Sequence, residues 1–341
     1  MSSTATDSTV LLGHGSGGQM MKRIIDEVFL DAFGSPELLE GNDAGVAALP
    51  ASGRIAMSTD SFVVSPQFFP GGNIGRLAVC GTVNDVATSG ANVRYLSCGF
   101  ILEEGYPMDK LRQIVQTMAE TAREAGVAII TGDTKVVPRG ACDKIFINTT
   151  GVGEIFIDPA PSGHSARPGD AVLISGALGD HGLTVMGSRE NLSFLTDVAS
   201  DSAPLNRMIE DVIAAAGEVH VLRDPTRGGL APTLNEIAEQ SQVCINLEEE
   251  RIPVHESVKS GCYFLGLDPL YLANEGKCIC ILPEDRAEAA LAAMRASPYG
   301  AEAARIGSVS EGKAGQVLLR TRIGGQRLLG MLEGAQLPRI C

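Results

Sequence analysis

The 341-residue sequence contains no tryptophan, and aromatic residues make up only 4% of it. A buried core must therefore consist mainly of Ala, Val, Ile and Leu. Basic residues are also scarce, because 27 Lys and Arg stand against 41 Asp and Glu and give a formal net charge of −14. Nucleic acids and anionic membranes bind to clusters of Lys and Arg, so this charge balance argues against both as partners.

Long apolar runs are absent too. No run reaches the roughly 20 residues of a membrane-spanning helix, and residues 1–10 lack the basic and apolar regions of a signal peptide. We therefore expect a cytoplasmic protein. The eight cysteines are scattered and form no CxxC pair, which argues against a zinc or disulfide framework and predicts that most of them are small buried hydrophobes.

Strands and helices alternate in both halves of the sequence, which predicts an α/β protein. The length exceeds that of one hydrophobic core, so two domains are expected. The predicted organisation is a glycine-rich loop and N-terminal helix over residues 1–40, a first domain over 41–157, a linker over 158–169, a second domain over 170–332 and a flexible tail over 333–341.

Four aspartates recur where strands of the first half are predicted to end or turn: Asp43, Asp60, Asp85 and Asp133. Ligands of open α/β sheets gather at the carboxyl ends of strands. Converging carboxylates favour Mg²⁺, which in turn bridges nucleotide phosphates. The alternative is that each aspartate only caps a helix or a turn.

Two further segments suit phosphate binding. Residues 13–18 form a glycine-rich loop containing His14, and a predicted helix from Gln19 to Phe33 follows, so backbone N–H groups and a helix N-terminus are available. Asp224-Pro-Thr-Arg227 offers a carboxylate, a hydroxyl and a guanidinium before a second helix. A flexible loop and a simple helix cap are the alternative interpretations.

Three residues remain open on pattern alone. Lys135 follows Asp133 and Thr134, and Glu275 lies in a polar turn; either could be a solvated surface charge. Cys341 is the last residue of the sequence, where a thiol on a mobile tether could be loaded at one site and presented at another.

Together these segments resemble the HypE family of hydrogenase maturation proteins, in the superfamily of aminoimidazole ribonucleotide synthetase, selenophosphate synthetase and thiamine-monophosphate kinase. The terminal Pro-Arg-Ile-Cys is specific to HypE, whereas the aspartate strings are shared across the superfamily. The matching strings are Gly13–Gly18, Asn42–Ala44, Ser58–Phe62, Gly81–Val86, Thr131–Lys135, Arg223–Gly229, Ala273–Gly276 and Pro338–Cys341.

The resemblance implies a reaction. A HypF carbamoyltransferase loads a carbamoyl group onto Cys341, ATP activates the amide oxygen, and loss of phosphate leaves an S-cyanate. The cyano group then passes to iron on the HypC–HypD complex, for the active site of a nickel–iron hydrogenase. Glu275 is the expected base, and Lys135 would orient the amide or relay a proton.

The resemblance also implies the remaining site residues, with ATP and Mg²⁺ as cofactors and with His14 beside Cys341, Lys135 and Glu275 as catalytic. The expected Mg²⁺ ligands are Asp43, Asp60, Asp85 and Asp133. The expected nucleotide-binding residues are these four aspartates together with Gly15, Gly17, Gly18, Asn84, Thr134, Asp224, Thr226 and Arg227.

The implied fold is the two-domain α/β arrangement of the superfamily. Residues 41–157 form its ATP-binding domain, whose sheets pair in a homodimer as a barrel, and residues 170–332 form a C-terminal α/β sandwich. Two rival functions fit parts of the pattern. An ATP-dependent small-molecule kinase or synthetase explains the aspartates and leaves Cys341 unexplained, whereas a scaffold would use Cys341 only to dock a metal or partner.

Overall fold

The computed structural model describes residues 8–15, 18–39, 53–190, 198–331 and 339–341. Asp43 and Gly17 lie outside these ranges, as does most of the tail predicted over residues 333–341. Gly13–Gly15 belong to a 3₁₀ turn, Leu12–Gly15. The predicted helix after the glycine-rich loop is confirmed: it runs from Gly18 to Phe33 as α1 (Gly18–Ile24), a π-helical turn (Ile25–Leu30) and α2 (Asp31–Phe33), and α3 (Pro36–Leu39) follows.

The N-terminal domain is built on a four-stranded sheet in the order β1-β6-β4-β5. β4 pairs in parallel with β5, and the other pairs are antiparallel. The sheet strands are β1 (Ile55–Phe62), β4 (Ala91–Glu103), β5 (Ala128–Val137) and β6 (Ile145–Ile155), and a separate small hairpin is formed by β2 (Phe68–Phe69) and β3 (Gly72–Asn73).

Helices cover one face of this sheet. They are α4 (Ile74–Thr88), which packs on β1, β4 and β6, and α5 (Met108–Ala125), which packs on α4 and β5. α5 has the limits that its apolar periodicity predicts, and Gly126 ends it in the left-handed conformation (φ 76°), which glycine adopts without steric cost. The other face carries exposed apolar side chains, among them Ile55, Met57 and Ile101.

The C-terminal domain contains a seven-stranded sheet in the order β13-β12-β9-β11-β7-β10-β8. Its strands are β7 (Asp170–Ile174), β8 (Val221–Arg223), β9 (Cys244–Glu248), β10 (Ile279–Pro283), β11 (Ala304–Ser310), β12 (Gln316–Arg320) and β13 (Gln326–Leu329). Its helices are α6 (Asp180–Arg189), α7 (Asn206–Ala216), α8 (Leu230–Ser241), α9 (Glu256–Leu265) and α10 (Ala287–Ala296).

Three buried apolar clusters lie within the described residues, and the smallest contains Leu183 of α6 and Val258 of α9; the two larger ones hold the layers together. One is shared by the domains, because Leu77 and Val83 of α4 belong to the same buried cluster as Leu205 and Met208 of the C-terminal domain. The other lies under α8. The two-domain α/β prediction is confirmed, and the sheet of one chain is open rather than closed into a barrel. None of the helices that the structure describes is both long and apolar enough to cross a membrane.

Candidate active site

The described end of the chain is docked against both domains. The N–H groups of Val63 and Ser65, just beyond β1, donate to the backbone oxygens of Cys341 and Arg339 at 3.1 and 3.3 Å. The two segments run in opposite directions, as in an antiparallel strand pair. The Arg339 guanidinium returns a hydrogen bond to the carbonyl of Val63 at 2.9 Å and forms an ion pair with Asp143 at 2.8 Å. The last residues are therefore held in place rather than free in solvent.

Docking buries the Cys341 side chain, which is 7% exposed. The guanidinium of Arg227 and the carboxyls of Glu275 and Asp60 lie within electrostatic range of it. Burial first, and then Glu275, raise the pKa of the Cys341 thiol to about 12, although Arg227 opposes the shift. The docked thiol is therefore protonated at neutral pH and is a weak nucleophile.

Asp60, which lies within electrostatic range of this thiol, is also close enough to Asp85 and Asp224 to interact with both. Ser58 on β1 donates to Asp85 Oδ2 on α4 at 2.8 Å, so the two elements bring Asp60 and Asp85 together. Burial and the neighbouring Asp85 raise the pKa of Asp224 to about 7, and burial followed by Asp60 raises that of Asp85. Asp224 Oδ2 has no hydrogen-bond partner within the described part of the chain. These carboxylates repel one another and would be stabilised by a cation.

Glu275 closes the site from the C-terminal domain. Its carboxyl is buried, and Oε1 has no hydrogen-bond partner among the described residues. Burial, and then the charges of Asp201 and Asp224, raise the pKa of Glu275 well above its ordinary value. A carboxyl with a raised pKa is suited to exchange protons near neutral pH.

Two close backbone approaches fix the segment that carries Glu275. A Cβ added at Gly276 would lie 1.8 Å from the carbonyl oxygen of Asp201, so only glycine fits. At Gly229, with φ of +75°, an added Cβ would lie 2.5 Å from the carbonyl oxygen of Leu272. The buried Asn274 amide donates to the carbonyl of Pro225 at 3.0 Å. The Asp224–Arg227 turn and Glu275 therefore form one rigid unit.

Asp133 and Lys135 lie elsewhere. β5 continues through them instead of ending before them, and β1 likewise continues through Asp60. In the sheet Asp133 is aligned with Gly99, Asn148 and then Ser61, so it shares the face of Ser61 and not that of its neighbour Asp60. Lys135 forms an ion pair with Asp133 at 2.7 Å on this uncovered face. The predicted convergence of Asp133 with Asp60 and Asp85 is therefore wrong within one chain.

Distance separates Lys135 from the thiol as well. The docked tail lies beyond β1, and β5 is at the opposite edge of the sheet. Four strand spacings of about 4.8 Å place Lys135 roughly 19 Å from Cys341. A lysine side chain does not bridge that distance, so the predicted meeting of Lys135 with Glu275 does not occur within one chain.

The other predicted residues fall into two groups. Thr226 and Arg227 occupy the turn beside the carboxylates, as expected. His14 is buried in the 3₁₀ turn, accepts from the N–H of Leu11 at 3.0 Å and lies with Gly15 near β5, away from Asp60. Gly18 begins α1, and Thr134 is buried on the helix-covered face of the sheet.

Asn84 requires a correction. Its side chain donates to the carbonyl of Ala203 at 3.0 Å and accepts from the N–H of Leu205 at 2.8 Å. Both hydrogen bonds are buried and connect α4 to the loop before α7. The amide is thus committed to joining the domains and is not available to a nucleotide.

Several residues of the site carry no sequence signal of their own. His181 and Arg189 contact the docked tail, and Asp201 with Lys277 lies behind Glu275. His181 is one of five histidines without a metal-type spacing. Asn274 also belongs to the site, and the sequence offers a signal for it, because it precedes Glu275 in the Ala-Asn-Glu-Gly string.

Comparison with known proteins identifies this arrangement. Residues 41–155 match the family model "AIR synthase related protein, N-terminal domain", and residues 167–320 match the corresponding C-terminal domain. The chain is thus a two-domain AIR synthase related protein. Within that group it belongs to the HypE family of hydrogenase maturation enzymes.

The family assignment rests on relatives of nearly full length. The carbamoyl dehydratase HypE of Azotobacter vinelandii is 53% identical over 335 residues, 98% of each chain. A crystal structure of the hydrogenase maturation protein HypE in complex with ATP has a TM-score of 0.94 and 63% identity, and covers 97% of this chain and 99% of that one. The HypE chain of a HypE–HypF complex has a TM-score of 0.80 and 48% identity, with coverage of 91% and 99%.

Proposed function

We propose that the protein is an ATP-dependent carbamoyl dehydratase of nickel–iron hydrogenase maturation that converts a thiocarboxamide on its own Cys341 into a thiocyanate. The observation that carries the proposal is the docked Cys341, whose thiol is buried within electrostatic range of Glu275, Arg227 and Asp60. The thiol is delivered to a set of carboxylates that would suit a nucleotide with its metal ion.

The chemistry balances in two steps. The amide oxygen attacks the terminal phosphoryl group of ATP, ADP leaves, and the nitrogen loses one proton. Breakage of the carbon–oxygen bond then releases phosphate as the second proton leaves the nitrogen and the carbon–nitrogen triple bond forms. A base must hold the departing protons, and the buried Glu275, once ionised, is the candidate. Arg227 is placed to offset charge that develops on the oxygen.

The residues also fit Mg²⁺. Asp60, Asp85 and Asp224 supply hard oxygen ligands, and the orphaned Oδ2 of Asp224 is available for coordination. Within the described ranges no three His, Cys, Asp or Glu side chains are grouped tightly enough to hold a metal ion by themselves. Mg²⁺ usually takes one or two carboxylates and completes its shell with phosphate oxygens and water. When bound, the ion would neutralise phosphoryl charge.

Lys135 enters the proposal through a homodimer. The uncovered face of the N-terminal sheet exposes Met57 (67%) and Ile101 (43%), and an apolar patch of this kind marks a protein interface. Two such faces packed about a two-fold axis would bring Asp133 and Lys135 of β5 close to β1 of the partner. Lys135 would thereby serve the thiol of the other subunit.

The partners follow from the same chemistry. A HypF-type carbamoyltransferase would load the thiol, and the HypC–HypD complex would receive the cyano group on iron, all in the cytoplasm. Both transfers need Cys341 outside the site, so docking must be reversible. A small-molecule kinase, the alternative, leaves the docked Cys341 without a role.

Intact mass spectrometry tests the activity. Protein loaded by a HypF-type transferase should gain one carboxamide, and added ATP should then remove the mass of one water. Peptide mapping should place both changes on Cys341. Cys142→Ser should behave as wild type and Cys341→Ser should show neither change. Wild-type protein that keeps its carboxamide in the presence of ATP would refute the proposal.

Subunit mixing tests the role of Lys135. Lys135→Ala and Glu275→Gln should each be inactive alone. If Lys135 acts across the dimer, mixed dimers contain one intact site, and random exchange restores about a quarter of wild-type activity. If both residues act within one chain, every site of a mixed dimer is defective and no activity returns.

A further inference from the structure

His181 makes the most enclosed contact with the docked tail. It is fully buried, and its Nε2 lies 2.8 Å from the carbonyl oxygen of Ile340, the residue before Cys341. A carbonyl only accepts, so Nε2 carries the hydrogen. Burial lowers the pKa of His181 and keeps the ring neutral. Nδ1 must then accept the hydroxyl hydrogen of Ser200, which lies 2.8 Å away.

α6 holds the tail at both of its ends. His181 is in its first turn, where the edge of the ring packs on Phe69 with centroids 5.6 Å apart. Arg189 is its last residue, and Nη2 donates to the carbonyls of Ser65 at 2.8 Å and Arg339 at 2.9 Å. The helix thus binds two consecutive tail carbonyls. Both contacts are to the backbone, so they do not depend on what the thiol carries.

Ser200, the hydrogen-bond partner of His181, is also connected to Glu275. Ser200 is followed by Asp201, whose Oδ1 accepts from the N–H of Glu275 at 3.2 Å and whose Oδ2 pairs with Lys277 at 3.1 Å. Ser200 and Asp201 are adjacent in the sequence. Ser200 orients the His181 imidazole that binds the tail, and Asp201 binds the backbone of Glu275, the expected base. This arrangement fixes the position of Cys341 relative to Glu275.

We propose that His181, oriented by Ser200, is a positioning residue that keeps Cys341 docked in register with Glu275, and that release of its hydrogen bond to Ile340 accompanies undocking. The inference rests on the proposed function for its catalytic consequence. His181 does not touch the reacting amide, because the single N–H group of its neutral ring donates to the Ile340 carbonyl. Its role is to set the balance between the docked and the presented thiol.

Alkylation of Cys341 by iodoacetamide measures that balance without any carbamoyl chemistry. A Cys142→Ser background is used, because the other six cysteines are buried. His181→Phe removes the donor and should speed alkylation of Cys341 by about five-fold or more, as expected for one net hydrogen bond. His181→Gln, which keeps an N–H donor, should stay close to the parent. Ser200→Ala should fall between them.

His164→Phe is the matched control, since His164 is an exposed ring that pairs with the carbonyl of Gln240 far from the tail. With loaded protein, His181→Phe should lower the dehydration rate while the KM for ATP stays unchanged. Equal alkylation rates in His181→Phe and the parent, or equal defects in the Phe and Gln variants, would overturn the inference. A shift in alkylation without any dehydration in the parent would refute the proposed function and leave the positioning role intact.

Discussion

The N–H of Val63 donates to the backbone oxygen of Cys341 at 3.1 Å, so the last residue of the sequence is bound by the segment that directly follows β1. β1 also carries Asp60, one of the carboxylates beside the thiol. The segment that binds the tail thus continues directly from the strand that carries Asp60. Delivery of the thiol and assembly of the reaction site are consequences of the same backbone pairing.

Glu275→Gln should slow single-turnover dehydration by about 10²–10⁴-fold, the usual contribution of a general base. ATP binding should persist. The melting temperature should not fall, because the change removes a carboxyl that is buried near Asp201 and Asp224. Glu288→Gln, on the exposed face of α10, is the control. A glutamine variant that dehydrates at the normal rate would exclude Glu275 as the base.

The pH dependence of the reaction should follow Glu275. Only its ionised form accepts a proton, so the rate should rise with pH through a raised pKa rather than near the ordinary value of 4.5. Asp201→Asn removes a neighbouring anion and leaves Lys277 unpaired. Both effects favour the carboxylate, so the acid limb of the rate profile should move to lower pH. A limb that stays in place would show that another group titrates.

The raised pKa of Asp224 predicts how the stability of the metal-free protein changes with pH. Its pKa is raised from 3.8 to about 7 in the folded state, so the folded state binds the proton more tightly than the unfolded state. Stability should therefore fall as pH rises from about 4 to about 7. Thermal melts in EDTA should show this decline, and Asp224→Asn should flatten it. Added Mg²⁺ and ATP should restore stability at pH 7 in the parent.

Asn84→Ala should lower the free energy of unfolding by about 1–3 kcal/mol, because it strands the buried carbonyl of Ala203 and N–H of Leu205. Asn235→Ala is a milder control, since that amide binds only a carbonyl of its own helix. Urea denaturation measures both. Loss of ATP affinity without loss of stability in Asn84→Ala would instead support a direct contact with nucleotide.

The sequence predicts the fold well where a local pattern decides it. α5 is amphipathic and ends at Gly126, so its limits follow from periodicity and a cap. The lengths of β1 and β5 did not follow, because polar residues such as Asp60 and Asp133 look like turns when the sheet is unknown. The side chains of Asp60 and Asp133 lie on opposite faces of the sheet. This difference depends on strand order and register, which no short pattern encodes.

The site residues likewise fall into those that a local sequence pattern predicts and those that it does not. Asp60, Asp85, Asp224 and Glu275, which the structure brings near one another, each lie in a distinctive string that the sequence analysis singles out. His181 and Arg189 could not be found, since their role depends on where α6 lies relative to a tail 150 residues away. The family resemblance implies that Asn84 binds nucleotide, whereas its orientation on α4 commits it to the interface between domains.

The most direct test follows the amide oxygen. Cys341 is loaded with a carbamoyl group that carries a heavy oxygen isotope, ATP is added, and the released phosphate is examined by mass spectrometry. If the docked amide attacks ATP beside Glu275, the isotope appears in inorganic phosphate with one label for each thiocyanate formed. Release of the isotope as water, with unlabelled phosphate, would contradict the account.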